Sequence, residues 1–194
     1  MDIRVRNTMA AVRKALIDLM GVQKFEDITI SVLCKNAGIS RKTFYMHYSS
    51  LEDVITDIGK DIYNQVSDRF KSKGSDYGMR DVLKDINEII ASNKDSYSKM
   101  ATSESHHEFH VALEIAFQKI VADVCRNSYG LTSPNLEYYS TFYASGIISV
   151  YGRWFRSHEK QPMEKLEQIL YSCTFLGSDG IIADGKERQK NISK

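Results

Sequence analysis

The stretch ITISVLCKNAGISRKTFYMHYSSLEDV, Ile28 to Val54, restricts the fold more than any other part of the chain. Ile30, Leu33 and Ala37 recur at helical spacing, so a helix starting there carries one apolar face. Thr29 stands just before it, where a hydroxyl oxygen can accept from an otherwise unpaired amide of the first turn. Gly38 follows, the residue best suited to the left-handed backbone that closes a helix. Ile39 turns inward, and Ser40 is placed to cap a second helix from Arg41 to about Met46. A helix that short is not stable alone. Phe44, with Tyr48 beyond it, is its apolar anchor. Arg41, Lys42, Thr43, Tyr45 and His47 are left to face outward, and their cations, hydroxyls and polar-tipped rings suit phosphate oxygens and base edges. A helix, a glycine turn and a short donor-rich helix make a helix-turn-helix.

Read together, Thr29, Leu33, Ala37, Gly38, Ile39, Ser40, Thr43, Phe44, Tyr45, His47 and Tyr48 resemble the TetR (tetracycline repressor) family of bacterial transcription regulators. That many spaced matches over a quarter of the chain form a specific signal. The resemblance implies an all-α protein with an N-terminal three-helix DNA-binding unit and a C-terminal helical bundle for dimerisation and effector binding. It implies a homodimer on a palindromic double-stranded DNA operator, repression of transcription, and release by a small-molecule effector. The DNA-binding residues it points to are Thr29, Ser31, Ser40, Arg41, Lys42, Thr43, Tyr45, His47 and Tyr48. One position departs from the family. Where its members usually carry a lysine against a phosphate, this chain has Leu51, which shifts weight to Arg41, Lys42 and a polar arm over residues 1–7 holding Arg4 and Arg6.

The net charge of +1 does not by itself announce a nucleic-acid partner, but its distribution supports one. Residues 1–50 hold eight cations and four anions, a local +4 against −3 for the remainder, an electrostatic footprint suited to DNA. Cys34, Cys125 and Cys173 form no C-x-x-C pair and sit among apolar residues, which predicts free buried thiols in a reducing cytoplasm. No signal peptide opens the chain and no apolar run reaches membrane-spanning length, so a soluble cytoplasmic protein without a membrane partner is expected.

With only two prolines, long helices are favoured throughout. The first runs from the arm to about Val22. Ser50 is a plausible cap for a connecting helix whose stripe Leu51, Ile55, Ile58, Ile62, Val66 and Phe70 spans about five turns. Lys71 to Gly78 reads as a loop. Further helices end near Asn93, start at Tyr97 with Met100 and Ala101, and run from Phe109 to about Ser128. Leu136 to Ser157 is apolar on nearly all sides, which predicts burial on nearly all sides, Trp154 and Phe155 included. The last helix runs from Met163 to about Leu176. The expected divisions are residues 1–49 for DNA binding, 50–70 as connection, 71–183 for effector binding and dimerisation, and 184–194 as a polar tail. The C-terminal region resembles the TetR subgroup that contains dihydroxyacetone-kinase regulators.

No phosphate loop, G-x-S-x-G or H-E-x-x-H marks an enzyme, and no cofactor is expected. Glu104, His106, His107, Glu108 and His110 form the one cluster that invites metal chemistry. An i, i+4 histidine pair needs a third ligand, none is identifiable, and no metal is assigned. A polar helix start or loop is the first reading of the cluster, and the polar edge of an effector pocket the second. The candidates there are His106, His107, His110, Phe117, Phe142 and Tyr151, with Ser105 beside them. A helical protein-interaction adaptor that kept the fold without sequence-specific DNA binding is the alternative reading, and a small metal-dependent enzyme a distant third.

Overall fold

The computed structural model describes residues 2–92, 94–95, 97–98, 107–130, 134–157 and 161–176. Among these residues the structure is helical with no strand. The helices are α1 (Ile3–Met20), α2 (Ile30–Ala37), α3 (Arg41–Tyr45), α4 (Leu51–Lys73), α5 (Met79–Ser92), α6 (His107–Tyr129), α7 (Leu136–Arg156) and α8 (Met163–Tyr171). A π-helical turn, Ser172–Leu176, continues α8.

Helices α1 to α3 form a small unit on the front of α4. Val12, Leu16 and Leu19 of α1 meet Leu33 of α2 and Phe44 of α3, all buried in one continuous core. Burial of these side chains, each contributing about 1.5–3 kcal/mol, holds α2 and α3, which are too short to persist alone. The expected N-terminal arm is instead the first turn of α1. The carboxylate of Asp2 accepts from the Arg4 amide at 2.9 Å and starts the helix at Ile3. α1 also stops two residues early, at Met20, with Gly21 following.

The rest is built on α6, which packs most extensively against α4 on one side and α7 on the other. The α4–α6 crossing is tight at Gly59, where a Cβ would lie 2.8 Å from the Ala112 carbonyl oxygen. Only a residue without a side chain lets the two backbones approach so closely. α4 runs about one turn past the expected end, to Lys73, and takes up the first three residues of the predicted loop. Tyr77, read as loop, is fully buried, and its hydroxyl donates to Asp85 at 2.5 Å. Arg69 of α4 donates to the same buried carboxylate and to Glu88 at 2.6 Å, tying the end of α4 to α5. Burial, reinforced by Asp85, pushes the Tyr77 phenol pKa up, so it stays the donor.

α7 is not buried on all sides of the single chain. Trp154 and Phe155 face the chain's own core, while Tyr138 and Phe142 stand 75% and 73% exposed. Cys34 and Cys125 are buried as expected, but Cys173 is exposed. The helix start predicted at Met100 and Ala101 lies outside the described residues, although Tyr97 is buried.

Candidate nucleic-acid interface

Three local hydrogen bonds build the reading head. Thr29 Oγ1 accepts from the Val32 amide at 3.2 Å and starts α2. Gly38 closes it at φ 66°, in the left-handed region, and its amide returns to the Lys35 carbonyl at 3.3 Å. Two residues later Ser40 Oγ accepts from the Thr43 amide at 3.0 Å and starts α3. The Ser40 and Thr43 hydroxyls also bond each other at 2.8 Å. The turn therefore fixes the angle between α2 and α3 through atoms of its own sequence.

Phe44 sits at zero exposure beneath α3, edge-on to Tyr45 at 5.4 Å and tilted against Tyr48 at 5.6 Å. With Phe44 pointing in, Arg41, Lys42 and Tyr45 point out. Arg41 donates to Ser31 Oγ at 3.2 Å across the two helices, so Ser31 and Arg41 belong to one exposed face. Thr29 and Ser40 are exposed at the helix starts, while Thr43 and His47 are half-buried. Eight of the nine predicted contact residues therefore stand at least partly open to solvent.

Tyr48 is the exception, and its assignment is corrected. It is 6% exposed, and its hydroxyl donates to Asp57 at 2.7 Å. Burial, then the bond to Asp57, pushes its phenol pKa up. Asp57 also receives Arg13 at 2.8 Å, and the second guanidinium nitrogen of Arg13 reaches Asp61 at 2.7 Å. Tyr48, Arg13 and the α4 carboxylates thus clamp α1 and the end of α3 onto α4. Tyr48→Phe should lower stability by about 1.5–3 kcal/mol, the range of a hydrogen bond to a charged group. It should leave the intrinsic salt dependence of DNA binding unaltered. Unfolding in urea checks the first and binding titrations at several salt concentrations the second. A Tyr48 that touched phosphate would show the reverse.

Exposed residues that the sequence reading passed over are Val32, Lys35, Asn36 and Met46, the last at 70% exposure. Their positions on α2 and after α3 were available from helical spacing once Leu33 and Phe44 were fixed as inward.

Behind the head, an apolar cavity of about 70 Å³ lies among four helices. Ile62 comes from α4, Ile86, Ile89 and Ile90 from α5, and Phe109, His110, Leu113 and Phe117 from α6. Ile148, Tyr151, Gly152 and Phe155 come from α7, and Tyr97 lines it as well. Of the expected effector residues, His110, Phe117 and Tyr151 meet here. Phe142 does not: it faces outward on α7. His107 does not either. It borders a separate open groove of about 550 Å³ between α4 and α6, beside Glu108, Lys60 and Lys119. His107 and His110 lie about 60° apart around the helix, and the boundary between groove and cavity falls between them. His106 and Ser105 lie outside the described residues. No group of three metal-ligating side chains occurs among the described residues.

No curated protein matches the chain. The family of transcriptional regulator C-terminal regions, of TetR type, matches residues 79–175, which is half of the chain. Among solved structures, a TetR transcriptional regulator from Streptococcus agalactiae is 22% identical, with a TM-score of 0.60 over 88% of this chain and 95% of its own. The dihydroxyacetone kinase operon activator DhaS is 17% identical, with a TM-score of 0.63 over 87% and 94%. Thermus thermophilus FadR, a TetR-family repressor solved with lauroyl-CoA, is 19% identical, with a TM-score of 0.58 over 88% and 94%. At these identities the structures speak for the fold. No helix among the described residues is long and apolar enough to cross a membrane. With a capped helix-turn-helix at its front and the family's C-terminal region matched over residues 79–175, this chain belongs to the TetR family of DNA-binding transcriptional regulators.

Proposed function

We propose that the protein is a repressor that binds a palindromic operator as a homodimer and leaves it when a small organic effector occupies the cavity behind α4. In this reading residues 1–49 are the DNA-binding unit, 50–70 the connection, 71–183 the effector and dimerisation region, and 184–194 a polar tail. The observation that carries it is the outward face of Ser31, Arg41, Lys42 and Tyr45 on a head whose angles are locked by Thr29, Gly38 and Ser40.

α4 is the mechanical link. Asp57, clamped to Arg13 and Tyr48, lies on the head side, and Ile62 lines the cavity on the other. Gly59, pressed against the Ala112 backbone, lies between them and is placed to serve as the pivot. A ligand that displaces Ile62 tilts α4 about that contact and carries the head with it. The effector changes operator affinity only by its differential affinity for the two tilts.

The dimer face in this reading is the open side of α7, where Tyr138, Phe142, Gly146 and Ser149 follow one another at helical spacing. Two exposed aromatic rings in one row are unusual for a face that stays in water. Phe142→Asp should weaken self-association by at least about 2 kcal/mol, because a charge would have to be desolvated at the interface. Sedimentation at micromolar concentration should then show protomers, and operator binding should fall with it. Trp154 and Phe155 do not serve for this test, since they belong to the protomer's core. A Phe142→Asp protein that remains dimeric rejects this face.

A further inference from the structure

Resting on the operator reading, we propose that Ser31 is a positioning residue that acts through Arg41. It holds the guanidinium against α2, so that the remaining donors of Arg41 read a guanine at one position of each half-site. Arg41 Nη1 donates to Ser31 Oγ at 3.2 Å, from the first residue of α3 to the first turn of α2. Both residues are exposed, so the bond lies on the outward face of the head.

Each end of that bond stands on fixed backbone. Thr29 caps α2 two residues before Ser31, and Leu33, two residues after it, is fully buried. Ser40 caps α3 immediately before Arg41. The Cys34 thiol, one turn on from Ser31, reports the same placement of the guanidinium: burial pushes its pKa up, and the Arg41 charge draws it back. A long side chain fixed on a base loses rotamer freedom, and a bond already made in the unbound protein removes part of that loss in advance.

The place of Arg41 in the motif selects a base over a phosphate. In a helix-turn-helix the first residues of the second helix approach base edges, while the first helix crosses the backbone. A serine hydroxyl is a neutral acceptor. It takes one N–H of Arg41 and leaves the positive charge and the rest of the planar fork in place. Two parallel donors match the O6 and N7 acceptors of guanine, whereas adenine offers an acceptor beside an amino donor. Ser31 thus decides where the fork points, and Arg41 makes the contact.

The test uses the full chain and a random double-stranded DNA pool, with the duplex that the parent enriches as the binding probe. Ser31→Ala should weaken binding to that duplex about three- to tenfold, the effect of one hydrogen bond. It should also flatten the preference for guanine at one position per half-site, the same position that Arg41→Ala flattens. In the Arg41→Ala background, Ser31→Ala should change affinity by less than about twofold. Ser31→Thr, which keeps the hydroxyl, should restore affinity and preference together. Ser31→Ala removes no charge and no buried group, so the salt slope and the urea midpoint should match the parent's. Three results overturn the proposal. One is a Ser31→Ala loss of the same size with and without Arg41, which makes Ser31 a contact of its own. Another is an Arg41→Ala loss that is uniform across sequences, which places Arg41 on a phosphate. The third is a Ser31→Ala protein with the parent's affinity and preference. A parent that enriches no sequence overturns this proposal together with the operator reading, whereas an enriched palindrome with Ser31 and Arg41 uncoupled rejects the positioning role alone.

Discussion

Phe44→Ala is expected to remove about 3–5 kcal/mol of stability, the upper range for truncating a buried aromatic side chain. Nothing else ties α3 down so strongly. The helix has five residues, its backbone hydrogen bonds are few, and its outward face is polar. Phe44 has zero exposure, contacts Tyr48 and Tyr45, and belongs to the core that also holds Leu16 and Leu33. Truncation leaves a void bounded by α1, α2 and α3, which cannot collapse without changing their angles. Urea unfolding should give the lower stability, and DNA binding should weaken even where the protein remains folded. Tyr45→Ala is the control. Its ring is 51% exposed, so its loss should change stability by only about 0.5 kcal/mol. Equal stability losses for the two variants would mean that α3 is not anchored as described.

The second large effect is on binding. Arg41→Ala and Lys42→Ala should each weaken binding by about 1–3 kcal/mol where the contact is to a base. A phosphate contact weakens all sequences alike and lowers the salt slope by about one unit. The double variant should lose more than either single one, with imperfect additivity because the residues are neighbours. Neither side chain is buried, so stability should stay within about 0.5 kcal/mol of the parent. That separation between binding and folding distinguishes these positions from Phe44. A double variant that binds DNA as the parent does would remove α3 from the interface.

Much of the head could be read from the sequence because its geometry is local. Thr29 and Ser40 accept from amides three residues on, and the Gly38 amide returns to a carbonyl three residues back, so spacing alone predicts what they do. Tyr48 shows where that stops. A tyrosine at the end of a short helix can face DNA or the core, and the choice is made by Asp57 on the next helix and Arg13 on the first. Phe142 fails for a related reason. A helix rich in apolar residues on every side does not reveal which of its faces meets its own chain. α7 turned Trp154 and Phe155 inward and left Phe142 outside. Tyr77 was hidden in a stretch of glycine, serine and lysine that reads as loop. Its burial depends on Asp85 and Arg69, partners that its immediate neighbours do not disclose. The cavity was out of reach for the same reason, since its walls come from four helices that periodicity can mark as apolar but cannot arrange.

Sequence-specific recognition by a symmetric pair of heads is the claim on which the rest depends. Selection from a random double-stranded DNA pool by the unmodified protein tests it directly. The expected result is one enriched sequence with two-fold symmetry, its half-sites about 10 base pairs apart or a multiple of that, bound with a salt slope that Arg41 and Lys42 account for in part. A pool that gains no sequence preference, however tightly it is held, would contradict the account and favour a protein that kept this fold for another partner.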